Sequence, residues 1–156
     1  MKTKQICIGI AALVTSFGAF AQDAAEDLNG PTVVCVGQLA GEPRLFPIVD
    51  KIDVAPMPFA AMPRTPERTA TASERKAIAL WMERRDECFT AGTQYRVKTL
   101  LPEEQSYAAS LYNVQRGLAV ELLKGKMTYA EYNQTRFDLF KAAQYEAGYP
   151  AASAAW

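Results

Sequence analysis

Two cysteines, Cys35 and Cys88, are the residues best suited to do chemistry beyond the first 21 residues of this chain. They are far apart in sequence, so they are not a Cys-x-x-Cys redox pair. A catalytic thiol also needs a basic partner such as histidine, and the chain contains no histidine. The same absence removes the commonest general base at neutral pH and the commonest metal ligand. We therefore expect Cys35 and Cys88 to form one structural disulfide.

The first 21 residues have the pattern of a secretory signal peptide. Lys2 and Lys4 precede an apolar run over residues 6–14, and Ala19-Phe20-Ala21 has the small-x-small form of a cleavage site. We expect cleavage after Ala21, which also removes Cys7. The protein is then periplasmic or secreted, in a compartment where disulfides form. We expect no stable membrane insertion after the leader is removed.

The charge of the chain argues against a nucleic-acid partner. Its 17 basic and 17 acidic residues balance, and loss of Lys2 and Lys4 leaves 15 basic against 17 acidic, a net charge of −2. Such a surface has no basic field for phosphates. No motif for a cofactor or a metal is present, so we expect neither.

Two arginines lie where the helical pattern predicts apolar residues. Arg85 falls among the apolar positions of one predicted helix and Arg136 among those of another. A buried guanidinium must reach solvent or find a carboxylate, for which Glu121 is a candidate. These arginines therefore form an internal network, an anion-binding cleft or a protein-binding face. The candidate binding patch is Arg85, Tyr129, Tyr132, Asn133 and Arg136.

A proline-rich segment precedes the helices that must position this patch. Seven of the nine prolines lie between residues 31 and 66, although the stretch is also rich in apolar residues. Proline lacks an amide hydrogen and disfavours helix in the residue before it. We expect an extended arm over residues 22–66, with a strand or an extended strip at residues 32–36, and the disulfide pins the arm to the helices.

Three helices are predicted after the arm. The first begins with Ser73 as its N-cap and runs to about Lys98, and the second runs from Pro102 to about Lys124, where Gly125 ends it. The third opens with the capping box Thr128 to Glu131 and ends near residue 148. The predicted core stripe of the second helix is Tyr107, Leu111, Val114, Leu118 and Leu122.

The stretch from Leu122 to Arg136, with its glycine stop and threonine cap, resembles a helix–turn–helix pattern that recurs in uncharacterised small secreted helical proteins of Gram-negative bacteria. The resemblance implies a periplasmic location and a helical fold, but it does not indicate any particular activity.

The sequence thus predicts a mostly α protein: a three-helix domain with an extended proline-rich N-terminal arm stapled by one disulfide. Its divisions are a signal peptide (1–21), the arm (22–66), a helical domain (67–150) and a tail (151–156). We expect an exported, non-enzymatic protein that binds or scaffolds another envelope protein. The alternatives are a small-ligand binder at the Arg136 cleft, or an enzyme that uses carboxylates. The available acids for such an enzyme are Glu103, Glu104, Glu121 and Glu131.

Overall fold

The computed structural model describes residues 30–54 and 66–147. These ranges contain five helices and no strand: α1 (Gly30–Gly37), α2 (Ala72–Ala91), α3 (Thr93–Thr99), α4 (Pro102–Leu123) and α5 (Tyr129–Ala147). Two 3₁₀ turns, Gln38–Gly41 and Pro43–Leu45, follow α1. The protein is mostly helical, as the sequence predicts. The predicted signal peptide, the tail with Trp156 and the end of the last helix near residue 148 lie outside the described residues.

The strand predicted at residues 32–36 is wrong, because this segment is the helix α1. Pro31 occupies its first turn, where a missing amide hydrogen costs nothing. Thr32 and Val36, four residues apart, bury one face of α1, and α1 packs on α2. The modest helix propensity of the β-branched residues is overridden by this packing.

The rest of the described N-terminal segment folds into turns rather than an extended ribbon. After the two 3₁₀ turns, Leu45, Ile48, Ile52 and Val54 are almost fully buried in the common core. The indole nitrogen of Trp81 donates a hydrogen bond of 3.2 Å to the carbonyl oxygen of Val54, which ties this segment to α2. Residues 55–65 lie outside the described ranges, so the extended arm is not shown as a whole.

The first long helix starts earlier than predicted and is divided in two. Thr71, not Ser73, is the N-cap: its hydroxyl accepts from the amide of Glu74, whose carboxylate accepts from the amide of Thr71 at 2.8 Å. The helix ends at Ala91, and α3 begins after Gly92. A side chain at Gly92 would collide with Thr32 and Arg96, so α1 approaches the chain closely at this break.

The predicted boundaries of α4 and the predicted start of α5 are confirmed. Pro102 is the first residue of α4, and Glu104 accepts from the amide of Leu101 at 2.8 Å. Gly125 has a φ of 70°, a left-handed conformation that favours glycine. At the start of α5, Thr128 and Glu131 form the predicted reciprocal cap, with bonds of 2.7 and 3.2 Å. The two helices pack together across this short connection.

The core-facing stripe predicted for α4 is only partly correct. Leu122 is buried, but Tyr107 and Val114 are 40% and 48% exposed. The buried face lies beside the predicted one and consists of Ala108, Gln115, Ala119 and Leu122. Small alanines let neighbouring helices approach α4 closely, which leaves the larger residues at its outer side. In residues 30–54 and 66–147, no helix combines the length and the apolar character needed to cross a membrane.

Candidate functional site

The predicted disulfide is confirmed. Cys35 of α1 and Cys88 of α2 are bonded, with their Cα atoms 5.4 Å apart. The bond fixes α1 against the buried middle of α2, where Trp81, Met82 and Arg85 also point inward. The disulfide therefore restrains α2, the helix that carries Arg85 of the candidate patch.

Arg85 lies in the interior with only 7% of its surface exposed. Its guanidinium donates to the side-chain oxygen of Gln115 at 3.1 Å and lies over the ring of Trp81, 4.9 Å from the ring centre. Aromatic faces attract cations, and the attraction grows where water is excluded. Burial is the main cause that lowers the pKa of Arg85, and the positive charge of Arg136 lowers it further. The side-chain amide of Gln115 and the ring of Trp81 thus stabilise the Arg85 guanidinium.

Arg136 is equally enclosed, with 6% exposed. One guanidinium nitrogen donates to the backbone carbonyl of Asp53 at 3.0 Å, and another lies 3.8 Å from the Asp53 carboxylate. The adjacent Asn133 donates to the carbonyl of Lys51 at 2.7 Å. Glu121, the carboxylate suggested for these arginines, instead pairs with Lys124 and Lys126. The prediction of Glu121 as the partner of these arginines is wrong, because Glu121 lies near the C-terminal end of α4, beside these two lysines.

The two tyrosines of the patch are fully buried. Burial raises the pKa of Tyr129, and the nearby Glu74 carboxylate adds to this effect. The hydroxyl of Tyr132 and the Nε of Arg136 have no hydrogen-bond partner. All five residues of the candidate patch are therefore interior, and the patch is not an exposed binding face. Their arrangement fits the internal network that the sequence left open.

A second polar cluster surrounds Glu74 in the first turn of α2. Both carboxylate oxygens of Glu74 accept from Arg68 at 2.7 Å, and Lys51 lies 3.6 Å away. The bonds from Arg68 are the main cause that lowers the pKa of Glu74 to about 2, with help from Thr71. The pattern Thr71-x-x-Glu74 is a capping-box signal that could have placed this residue.

An open groove of about 750 Å³ lies between α2 and α4. Its lining is apolar at Ala79, Met82, Ala91 and Leu123, and charged or polar at Glu83, Asp86, Glu87, Thr90 and Arg116. We call this feature the acidic groove, because it contains three carboxylates and one guanidinium. Sequence reasoning missed it, since residues 83–87 look like an ordinary solvated helix surface of mixed charge.

A set of side-chain contacts connects the two walls of the acidic groove. Asp86 of α2 accepts from Arg116 of α4 at 3.1 Å and also accepts from the hydroxyl of Tyr112. Burial is the main cause that raises the pKa of Tyr112, and the hydrogen bond to Asp86 raises it further. The ring of Tyr112 stacks on Phe89 with ring centres 4.0 Å apart. Side-chain contacts therefore connect the two walls of the groove.

The perturbed carboxyl groups in the described ranges share one direction. The pKa is lowered at Glu42, Asp50, Glu74 and Glu131, in each case mainly by a hydrogen bond or ion pair. Two of the acids considered for an enzyme take part in helix caps. The Glu131 carboxylate accepts from the amide of Thr128 at the start of α5, and the Glu104 carboxylate accepts from the amide of Leu101 at the start of α4. In the same ranges, no cluster of three or more side chains is placed to hold a metal ion.

The fold and these sites define a small helical protein with one disulfide. No protein-family model, no curated protein and no solved structure matches the chain. The resemblance to uncharacterised secreted proteins stays a prediction.

Proposed function

We propose that this chain is an exported, non-enzymatic protein that binds another protein of the cell envelope, and that the acidic groove is its binding site. The observation that carries the proposal is the groove itself, whose lining combines apolar side chains with charged ones. Protein interfaces commonly combine apolar and polar contacts in this way.

The lining of the acidic groove indicates the chemistry of the partner. Asp86 pairs with Arg116, and Glu87 pairs with Arg84 at 2.7 Å, so Glu83 is the lining carboxylate that has no ion pair among the described residues. Complementary charge favours encounter and correct register between partners. The partner segment is therefore an amphipathic helix of another protein, with apolar side chains against Met82 and Leu123 and a Lys or Arg toward Glu83.

The fixed walls also favour binding. Cys88 lies on α2 one residue after Glu87, so the disulfide restrains the helix that supplies most of the rim. The contacts of Asp86 with Arg116 and Tyr112 restrain α4 against it. A site that is ordered before binding loses less conformational entropy when its partner arrives.

A disulfide, and the lack of a spanning helix in the described ranges, are compatible with export. The leader-like pattern of residues 1–21 supports the periplasm or the exterior as the destination.

The alternative of a small-ligand binder uses the Arg136 region. The unpaired hydroxyl of Tyr132 and the unpaired Nε of Arg136 are the observations that favour it. Against it, Arg85 and Arg136 are both enclosed, so an anionic ligand would enter only after the core opens. The acidic groove needs no such opening.

The test is affinity capture from a periplasmic extract with the oxidised protein, followed by mass spectrometry. The Glu83→Lys variant reverses a charge in the acidic groove, and Glu67→Lys makes the same change at an exposed residue outside it. We expect one reproducible partner with the wild type and with Glu67→Lys, and its loss with Glu83→Lys. Absence of a reproducible partner, or equal capture by all three proteins, contradicts the proposal.

A further inference from the structure

An open pocket lies beside the disulfide, between α2 and the turns that follow α1. We call it the disulfide pocket, because Cys35 and Cys88 both line it. Its volume is about 400 Å³, and pockets that bind small molecules commonly have volumes of about 300–1,000 Å³. A small reagent therefore has room to approach the disulfide from solvent.

The two cysteines are not equally exposed. Cys88 is only 2% exposed, whereas Cys35 is half-buried. Thiol–disulfide exchange begins when a thiolate attacks one sulfur of the bond, and its rate depends on which sulfur the thiolate can reach. The geometry therefore favours attack at Cys35, with Cys88 as the sulfur that leaves.

The carboxylates of the disulfide pocket are each paired with a guanidinium. Glu42 accepts from Arg44 at 2.8 Å, and Glu87 accepts from Arg84 at 2.7 Å. Like charges placed together oppose the approach of a partner. Because both carboxylates are neutralised by a neighbour, the pocket remains open to an anionic nucleophile such as a thiolate.

We propose that the folded protein exchanges its disulfide with an external dithiol through the disulfide pocket, and that Cys35 is the residue attacked. One thiolate of the dithiol forms a bond to the Sγ of Cys35, and the bond between Cys35 and Cys88 breaks. The Sγ of Cys88 leaves with the electron pair and takes a proton from water. The result is a mixed disulfide between Cys35 and the reagent.

The second thiolate of the dithiol completes the exchange. It attacks the reagent's own sulfur in the mixed disulfide and releases Cys35 as a thiolate, which takes a second proton. The dithiol is thereby oxidised by two electrons to its disulfide, and the disulfide of the protein is reduced to two thiols. The same steps in reverse close the bond again.

The link between α1 and α2 is then a reversible modification site. Other contacts hold α1 after reduction, because Arg96 donates to the hydroxyl of Thr32 at 2.8 Å and Val36 is buried. The two cysteines therefore stay close enough to pair again. This inference does not depend on the function proposed for the acidic groove.

The first test is the rate at which dithiothreitol reduces the full oxidised chain. All proteins carry Cys7→Ser, so that only Cys35 and Cys88 react, and alkylation with mass spectrometry follows the reaction. Below the unfolding transition, attack through the pocket leaves the rate almost unchanged by urea. If attack requires unfolding, the rate rises at least about fivefold per molar of urea, because unfolding becomes easier by about 1–3 kcal/mol per molar. Such a rise overturns the proposal.

Two glycine variants test the route of attack. Gly41 lines the disulfide pocket and Gly37 does not, and a Cβ at either position would meet no atom within 4 Å. Neither glycine has a positive φ, so both positions accept a side chain. Gly41→Phe should obstruct the pocket and slow reduction severalfold, whereas Gly37→Phe should be reduced like the parent protein. Equal rates in all three proteins, or equal slowing in both variants, overturn the proposal.

Single-cysteine variants identify the residue attacked. Cys88→Ser retains Cys35, and Cys35→Ser retains Cys88. With oxidised glutathione as the probe, the thiol of Cys35 should form a mixed disulfide severalfold faster than that of Cys88, because access limits the exchange. Equal or reversed rates contradict attack at Cys35. Circular dichroism checks that each variant is folded, and this comparison decides the matter if Gly41→Phe does not fold.

Discussion

The guanidinium of Arg136 donates a hydrogen bond of 3.0 Å to the carbonyl of Asp53, a residue 83 positions earlier in the chain. Together with the bond from Asn133 to Lys51, it fastens the last described helix to the N-terminal segment. The buried arginine thus serves as a structural connection between the two ends of the described chain.

Replacement of Arg136 by alanine should strongly destabilise the fold. The change removes the hydrogen bond to the Asp53 carbonyl and the cation that lies 3.8 Å from the Asp53 carboxylate. Breaking a buried pair costs about 3–5 kcal/mol, and partial exposure of Asp53 places the expected loss at about 3 kcal/mol. Urea unfolding measures it. Arg44→Ala, which removes an exposed pair with Glu42, should leave the midpoint almost unchanged, and an equal loss in both variants would contradict this role.

The stability of the protein should fall on acidification through Glu74. The pKa of Glu74 is about 2 in the folded state, below its ordinary value of 4.5. A lowered folded-state pKa stabilises the fold above the ordinary value, and this contribution is lost as the pH falls from about 4.5 toward 2. Thermal unfolding between pH 7 and pH 2 measures the loss. Glu74→Gln should be less stable at pH 7 and show a shallower decline, and an identical decline would exclude Glu74 as the cause.

Reduction of the disulfide should destabilise the protein without changing its helical architecture. The bond joins residues 53 apart, and closure of such a loop stabilises the fold by about 4 kcal/mol in the chain-entropy model. Urea unfolding with and without a reductant measures the difference. The paired variant Cys35→Ser with Cys88→Ser should match the reduced protein. If both unfold like the oxidised wild type, the bond does not stabilise the fold.

Alanine at two glycines should have opposite effects. Gly117→Ala should stabilise the fold by about 0.5–1 kcal/mol, because a side chain there meets nothing and alanine favours helix. Gly92→Ala should destabilise it, because the new methyl group would collide with Thr32 and Arg96. Thermal unfolding compares the two variants. Changes of the same sign would contradict the packing described at Gly92.

The sequence predicts local features of this fold well. The caps at Pro102, Gly125 and Thr128 act within one turn of the chain, so their residue types are sufficient to locate them. The disulfide follows from the count of cysteines and the expected compartment. Such signals need no knowledge of the tertiary packing.

Features that depend on distant contacts could not be predicted. α1 is a helix because Thr32 and Val36 fit against α2, although their propensities favour a strand. The pairing of Gln115 on α4 with Arg85 on α2, 30 residues away, depends on how the two helices pack. The acidic groove likewise exists only where α2 and α4 meet. Periodicity within one helix contains none of this information.

The hydrogen bonds from α5 to residues 51–53 have a consequence for the order of folding. The chain is synthesised from its N-terminus, so Lys51 and Asp53 emerge 82 and 83 residues before Asn133 and Arg136, the residues of α5 that bond their carbonyls. Contacts of such long range are slow to form, because a large loop must close first. Until α5 has been synthesised, the apolar side chains of the N-terminal segment, such as Ile48 and Ile52, therefore stay exposed. A chaperone would be needed most at that stage.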